Sequence, residues 1–280
     1  MKKPYLLLII IIFSSILVQG QEKKVPYGNN PATGKFYEIR GIKIYTEVYG
    51  EGEPLLVIHG NGGSMADFSN QIPYFSKKYK VILADSRSQG RTADSGDSLT
   101  YEMMADDYAA LLTAMNIDSA NVIGWSDGGI NGLLLAIRHP QKVKKLAVTG
   151  ANLVPDSTAV YEDVAELVQP YYEDARKNRN NGEKGLTHWK LARLLFEQPH
   201  IPFTALHTIQ CPTLVIGGDH DVIKVEHTMQ IWKNIPRAFL WILPNSGHST
   251  PVVYKDEFNA GVMNFLKSPY REFKGEARLF

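Results

Sequence analysis

The chain has one cysteine, Cys211, so no internal disulfide can brace it and a folded structure must rest on packing. It has no surplus of either charge, with 30 Lys plus Arg against 29 Asp plus Glu, and no basic stripe. Proteins that neutralise several phosphates show one, so nucleic acid is not expected as a partner. Internal repeats and low-complexity tracts are absent. The histidines show no H-E-x-x-H or other tight ligand spacing, and no metal or cofactor is expected. Cys211 precedes Pro212 and an apolar strand-like run, the setting of a buried, inert thiol rather than a nucleophile.

What is present is 280 residues, 44% of them hydrophobic and 21% charged. At this length a chain buries roughly three quarters of the surface it exposes unfolded, which is enough for one large core or two modest ones. The first 20 residues stand apart: Lys2 and Lys3, then an apolar run from Tyr5 to Val18 broken only by Ser14 and Ser15, then the small residue Gly20. That run is shorter than the ~20 residues of a spanning helix and reads as a secretory signal peptide cleaved after Gly20. The expected destination is the periplasm or the exterior. Residues 21–35, rich in Gly, Pro and Asn, read as a flexible leader.

Eight short apolar runs follow: Phe36 to Arg40, Ile42 to Tyr49, Leu55 to His59, Val81 to Asp85, Asn121 to Trp125, Lys145 to Thr149, Thr213 to Ile216 and Ala238 to Leu243. Several are continuous rather than alternating, as in strands of a parallel sheet covered on both faces. Helical patterns lie between them. The clearest begins after the cap residue Thr100 and places Tyr101, Met104, Ala105, Tyr108, Leu111, Leu112 and Met115 on one stripe; another runs from about Ser126 to Arg138, before Pro140. The fold class is therefore α/β, with a mostly parallel sheet flanked by helices and an antiparallel hairpin around Gly41 at its edge. From Leu153 to about Ile209 no strand-like run occurs. Two helical segments, Val160 to Glu173 and Glu183 to Phe196, carry many aromatics. The expected organisation is a core of residues 36–152 and 208–268, a helical cap of residues 153–207, and a tail of residues 269–280.

The strongest local signal is Gly124-Trp125-Ser126-Asp127-Gly128-Gly129, a G-x-S-x-G pattern between a strand and a helix. Side chains two residues either side of the serine would collide with neighbouring elements, and the glycines remove them. A serine needs a base. Of the histidines that follow, His139 sits at a helix end, His188, His200 and His207 fall in the cap, and His227 reads as a solvated side chain of a helix. His248 lies in the loop Asn245-Ser246-Gly247-His248-Ser249, from which it can reach back across the sheet. An acid at the end of the preceding strand would fix its tautomer; Asp219 and Asp221 both stand there, and spacing does not separate them. After the Leu55 run comes His59-Gly60-Asn61-Gly62-Gly63. The amides of Asn61 and Asp127 are candidates to bind an oxyanion, and His59 reads as a structural residue.

On these residues the sequence resembles the α/β-hydrolase family from about Phe36 to Leu266. The matching segments are the His59-Gly60 loop, Asp85-Ser86-Arg87-Ser88-Gln89-Gly90-Arg91-Thr92, the serine turn, Cys211-Pro212-Thr213-Leu214-Val215-Ile216 with Gly218-Asp219-His220-Asp221, and Ser246-Gly247-His248. The family usually has Gly where Ser88 stands. Its Gly-x-x-Asp pattern implies Asp221 as the acid. Serine at the nucleophile position argues against dehalogenase and epoxide hydrolase chemistry. The serine turn is similar to that of valacyclovir-hydrolase-like esterases, which implies that Trp125 and Asp127 face the substrate and that Asp127 helps to recognise an amino group. The expected activity is hydrolysis of a small ester or amide. A cofactor-free perhydrolase or haloperoxidase, a carbon–carbon bond hydrolase, and a non-catalytic ligand-binding protein are the alternatives on the same scaffold.

Overall fold

In the computed structural model, which describes residues 25–272 and 274–279, the elements follow one another as β1 (Lys35–Ile39), β2 (Ile42–Tyr49), β3 (Glu53–Ile58), α1 (Ile72–Phe75), β4 (Tyr79–Ala84), α2 (Tyr101–Ala114), β5 (Ala120–Trp125), α3 (Asp127–Arg138), β6 (Val143–Thr149), α4 (Glu162–Asn178), α5 (Gly182–Glu197), β7 (Thr213–Gly218), α6 (Val225–Asn234), β8 (Ala238–Leu243), α7 (Thr250–Val253) and α8 (Lys255–Lys267). The expected signal peptide lies outside the described residues. The eight strands form one sheet in the order β1-β2-β4-β3-β5-β6-β7-β8. The pairs β1–β2 and β2–β4 are antiparallel, and all the others are parallel.

The continuous apolar runs have a simple cause. In β3, Leu56 and Ile58 point into the core shared with α2 and α3, while Leu55 and Val57 point into the core shared with α1 and α8. All four are at most 2% exposed, so neither face of the strand can be polar. The chain leaves β3 for β4 on one side and later returns to β5 on the other. At such a switch point the loops beyond the carboxyl ends of the two strands diverge and open a crevice, between residues 59–63 and the turn at Ser126.

Two expectations need correction. Residues 26–34, read as part of a flexible leader, are fastened to the sheet: buried Glu47 of β2 accepts from the backbone amides of Gly28 (3.0 Å) and Asn30 (2.7 Å) and from the hydroxyls of Tyr45 and Tyr49. A buried carboxylate needs donors, and the segment supplies two of them. His227, read as solvated, is 3% exposed on α6, where its Nε2 accepts from the amide of Leu153 (3.0 Å) and its ring packs on Phe203. It thus holds both ends of the segment inserted between β6 and β7. Ser88 adopts a left-handed φ of 63°, which explains why glycine suits the position; its hydroxyl offsets some of the strain by bonding Asp94 (3.2 Å).

The insertion is tied down by charge. Lys190 of α5, 2% exposed, donates to the Asp94 carboxylate (3.1 Å), the Asp94 carbonyl (2.9 Å) and the Gly96 carbonyl (2.7 Å). Asp94 also faces Arg87, which forms a two-bond pair with Asp107 of α2 (2.7 and 2.9 Å). All three ammonium protons have acceptors, the condition under which a buried lysine is tolerated.

Burial lowers the His227 pKa to about 4, so the native state refuses a proton that the unfolded chain accepts below pH ~6.5. Stability contributed by this group is full above pH ~6.5 and is lost as the pH falls toward 4, by about 3 kcal/mol in all. In His227→Gln, whose amide oxygen can still accept from Leu153, urea unfolding at pH 7 and pH 4.5 is expected to show a correspondingly smaller acid loss than the unmodified chain.

Candidate active site

The turn between β5 and α3 is set by two close approaches. A Cβ on Gly124 would lie 2.1 Å from the Gly128 carbonyl oxygen, and one on Gly128 would lie 2.0 Å from the carbonyl oxygen of Ile58 in β3. Only hydrogens fit in both places, and this lets α3 start directly against the sheet. Ser126 between them is held at φ 58° and ψ −123°, a conformation non-glycine residues rarely adopt, with its amide bonded to the Thr149 carbonyl (2.9 Å).

Three side chains named from the sequence meet at this turn. His248 Nδ1 lies 2.7 Å from Asp221 Oδ1, and His248 Nε2 lies 2.9 Å from Ser126 Oγ. An ionised carboxylate can only accept, so the ring proton sits on Nδ1 and Nε2 accepts from the serine hydroxyl. Asp221 is 4% exposed, and its Oδ1 also accepts from the amide of Ile223 (3.2 Å). Asp219 has a different position: its Oδ1 accepts from the amide of Ser246 (3.0 Å) and faces His220 (2.8 Å), so it shapes the loop that carries His248 without touching the imidazole. Those bonds hold its carboxyl well down, at a pKa of about 2.

The loop after β3 closes the other side. Gly60 is packed so tightly on Ser126 that a Cβ would lie 3.2 Å from the serine's own. The backbone amides of Asn61, next to Gly60, and of Asp127, next to Ser126, donate to no described residue. The Asn61 side chain has a role the sequence reading did not assign: its Nδ2 donates to Asp127 Oδ2 (2.9 Å) and to the Leu191 carbonyl of α5 (3.2 Å). His59 is buried, with Nδ1 on the Gly60 carbonyl (2.8 Å) and Nε2 accepting from the Ser86 amide (2.9 Å); burial pushes its pKa down. It is a loop-fixing residue, as read.

Ser126, Asp127 and His248 line a cavity of about 260 Å³ whose walls are Val160, Val164, Val168, Leu195, Phe196 and Ile223. Asp127 is 3% exposed and has no cationic partner among the described residues, and burial lifts its carboxyl pKa to about 6 against the bonds from Asn61 and Tyr101. Tyr101 also lines the cavity, and its phenol is pushed well above the ordinary range by burial and by Asp127. The helical stripe of α2 marks Tyr101 as core, and nothing in its spacing reveals that it faces the cavity. Trp125, expected at the substrate, is not part of the lining. Its indole turns away, edge-on to Phe68 (6.4 Å between centroids), and donates to the His248 backbone carbonyl (2.9 Å). A larger and shallower groove of about 560 Å³, bounded by Arg91, Lys184 and His188, contains none of the three meeting side chains.

The model of the α/β-hydrolase fold family matches residues 53–178. The chain is an α/β-hydrolase-fold enzyme. It is 27% identical to the serine hydrolase BPHL of Mus musculus, over 93% of this chain and 95% of that one. It is 26% identical to the 2-hydroxymuconate semialdehyde hydrolase of Pseudomonas sp. strain CF600, over 85% and 95%. Among solved structures, that of Est816, described as an N-acyl homoserine lactone degrading enzyme, superposes with a TM-score of 0.69 at 26% identity, covering 82% of this chain and all of that one.

In Gly128→Ala the added methyl must displace β3 or α3, and the expected loss of stability is about 3 kcal/mol, read from the midpoint of urea unfolding.

Proposed function

We propose that the protein is an exported serine hydrolase that cleaves a small carboxylic ester, or an amide, through an acyl-enzyme. The observation that carries this reading is the unbroken chain of contacts from Asp221 through His248 to Ser126, opening into a small, largely apolar cavity. His248 Nε2 takes the hydroxyl proton as Ser126 Oγ attacks the carbonyl carbon. Asp221 keeps the ring in the right tautomer and stabilises the imidazolium. The amides of Asn61 and Asp127, with the amino end of α3 beneath them, hold the oxyanion. His248 then returns the proton to the leaving group, and water repeats the cycle on the acyl-enzyme.

Asp127 narrows the substrate. A carboxylate this well buried, with no cationic partner among the described residues and sharing a cavity with the nucleophile, is suited to an ester that brings its own cationic amino group. The likeness to the serine hydrolase BPHL supports a serine hydrolase, that to the lactone-degrading Est816 supports the ester reading, and that to the semialdehyde hydrolase keeps carbon–carbon bond hydrolysis as the second. Buried Asp127 favours the first, since it rewards a positive charge.

Ser126→Ala and His248→Ala are each expected to lower ester turnover by at least ~10³-fold with the fold intact, and a fluorophosphonate probe should label Ser126 in the unmodified chain only. Substantial turnover by Ser126→Ala would exclude the mechanism. Preference for an amino-acid ester over its deaminated analogue should rise with pH through about 6, as Asp127 ionises. It should fall again above ~7.7, as the substrate amine loses its proton. In Asp127→Asn the preference should be lost, and equal turnover of the two esters by the unmodified enzyme would remove this specificity. Export is tested separately by the amino terminus of the mature protein, expected at Gln21.

A further inference from the structure

The loop bearing His248 is held at several points before and after the histidine. Ser246 is bonded to Asp219 through its amide (3.0 Å), and its carbonyl accepts from the amide of His220 (3.0 Å). The Tyr254 hydroxyl donates to the Asn245 carbonyl (2.6 Å), and Thr250 Oγ1 to that of Gly247 (3.1 Å). At residue 248 itself, the carbonyl has one partner among the described residues, the indole N–H of Trp125 at 2.9 Å. Trp125 is the last residue of β5 and is peptide-bonded to Ser126. One rigid strand end therefore fixes both the serine, through its backbone, and the backbone of the histidine that must reach it. Against the imidazole itself stands Gly150, at φ 64°, where a Cβ would lie 2.7 Å from His248 Cε1 and 2.9 Å from Nδ1.

We infer that Trp125 is a positioning residue for His248, working with Gly150: the indole N–H holds the histidine backbone in register with Ser126, and the missing side chain at 150 leaves room for the ring. The inference rests on the serine-hydrolase reading of the site. It reverses the expectation that Trp125 meets the substrate, because the ring packs on Phe68 and lies outside the cavity wall. Removing a cavity residue would be felt in KM. Removing a registration bond is felt in kcat, since a displacement of the order of 1 Å at the base can cost up to ~10²-fold in rate.

Trp125→Phe keeps an aromatic ring against Phe68 and deletes the donor. With a small p-nitrophenyl ester, its kcat is expected to fall by roughly ten- to a hundredfold with KM within about twofold, and the rate of fluorophosphonate labelling at Ser126 should fall in parallel. Gly150→Ala presses on the ring and is expected to lower kcat and the labelling rate; because Gly150 also lines the cavity, it is read in those two rates and not in KM, and it decides the matter if Trp125→Phe does not fold. Folded Trp125→Phe with unchanged kcat, or a drop confined to KM, overturns the inference while labelling of the unmodified chain leaves the serine-hydrolase reading intact. Gly150→Ala with unchanged kcat overturns it too. An unmodified chain that the probe does not label at Ser126 defeats both.

Discussion

The geometry of the site depends on one steric constraint, the absence of side chains at Gly124 and Gly128. Each closes a gap of about 2 Å to a carbonyl oxygen, which no larger residue could enter. Because α3 can then begin directly against β3 and β5, Ser126 is carried into a left-handed conformation with its hydroxyl at the rim of the sheet. The same approach starts α3 at Ser126, whose carbonyl accepts from the amides of Gly129 (2.8 Å) and Ile130 (3.1 Å), so the position of the serine and the helix dipole behind it have a common origin. The strain at Ser126 persists because β5, β6 and α3 all hold its backbone, through the Thr149 carbonyl and the first bonds of the helix.

The cap is joined to this core by buried polar contacts set within the apolar packing of Leu153, Leu191, Leu194, Ile201 and Leu206. Lys190 anchors α5 to the loop after β4, His227 anchors the start of the insertion, and Asn61 joins α5 to the serine turn through Leu191 and Asp127. Such contacts are directional and cannot slide, whereas an apolar interface can. Helix α4 is different. Ala175 is its one buried residue, and it rides on α5 through the packing of Tyr172 against Trp189 and Phe196. Thus α5 acts as a fixed wall of the cavity, and α4 is the less constrained half of the cap.

How much of this could be read from the residues alone depends on how local the cause is. The strands were legible because burial on both faces writes itself as continuous apolar runs, and the serine turn was legible because the two glycines that meet its steric demand stand within five residues of each other. What escaped was set by partners far away in the chain. The indole of Trp125 finds its acceptor 123 residues on, His227 finds its donor 74 residues back, and Lys190 finds its acceptors 96 and 94 residues back. An amphipathic helix gives no sign that one of its lysines or histidines is buried when the compensating group comes from a distant loop. Asp219 and Asp221 share one turn and one side-chain type, and only the path of the loop at 245–249 tells them apart.

Asp127 remains the least comfortable residue of the site, and its discomfort is informative. In the proposed mechanism its amide stabilises an oxyanion, while its carboxylate, if ionised, opposes the same developing charge; for charges ~6 Å apart at an effective dielectric of ~20 the repulsion is about 3 kcal/mol. The bond from Asn61 and the Tyr101 hydroxyl ease this by spreading the charge, yet burial still lifts the pKa to about 6. At neutral pH the carboxylate is mostly ionised, so a neutral substrate would meet an uncompensated negative group beside the reacting carbonyl. A substrate bearing an ammonium group cancels that field as it binds. On the proposed function the repulsion then becomes a discrimination between substrates, applied in the step where the oxyanion forms.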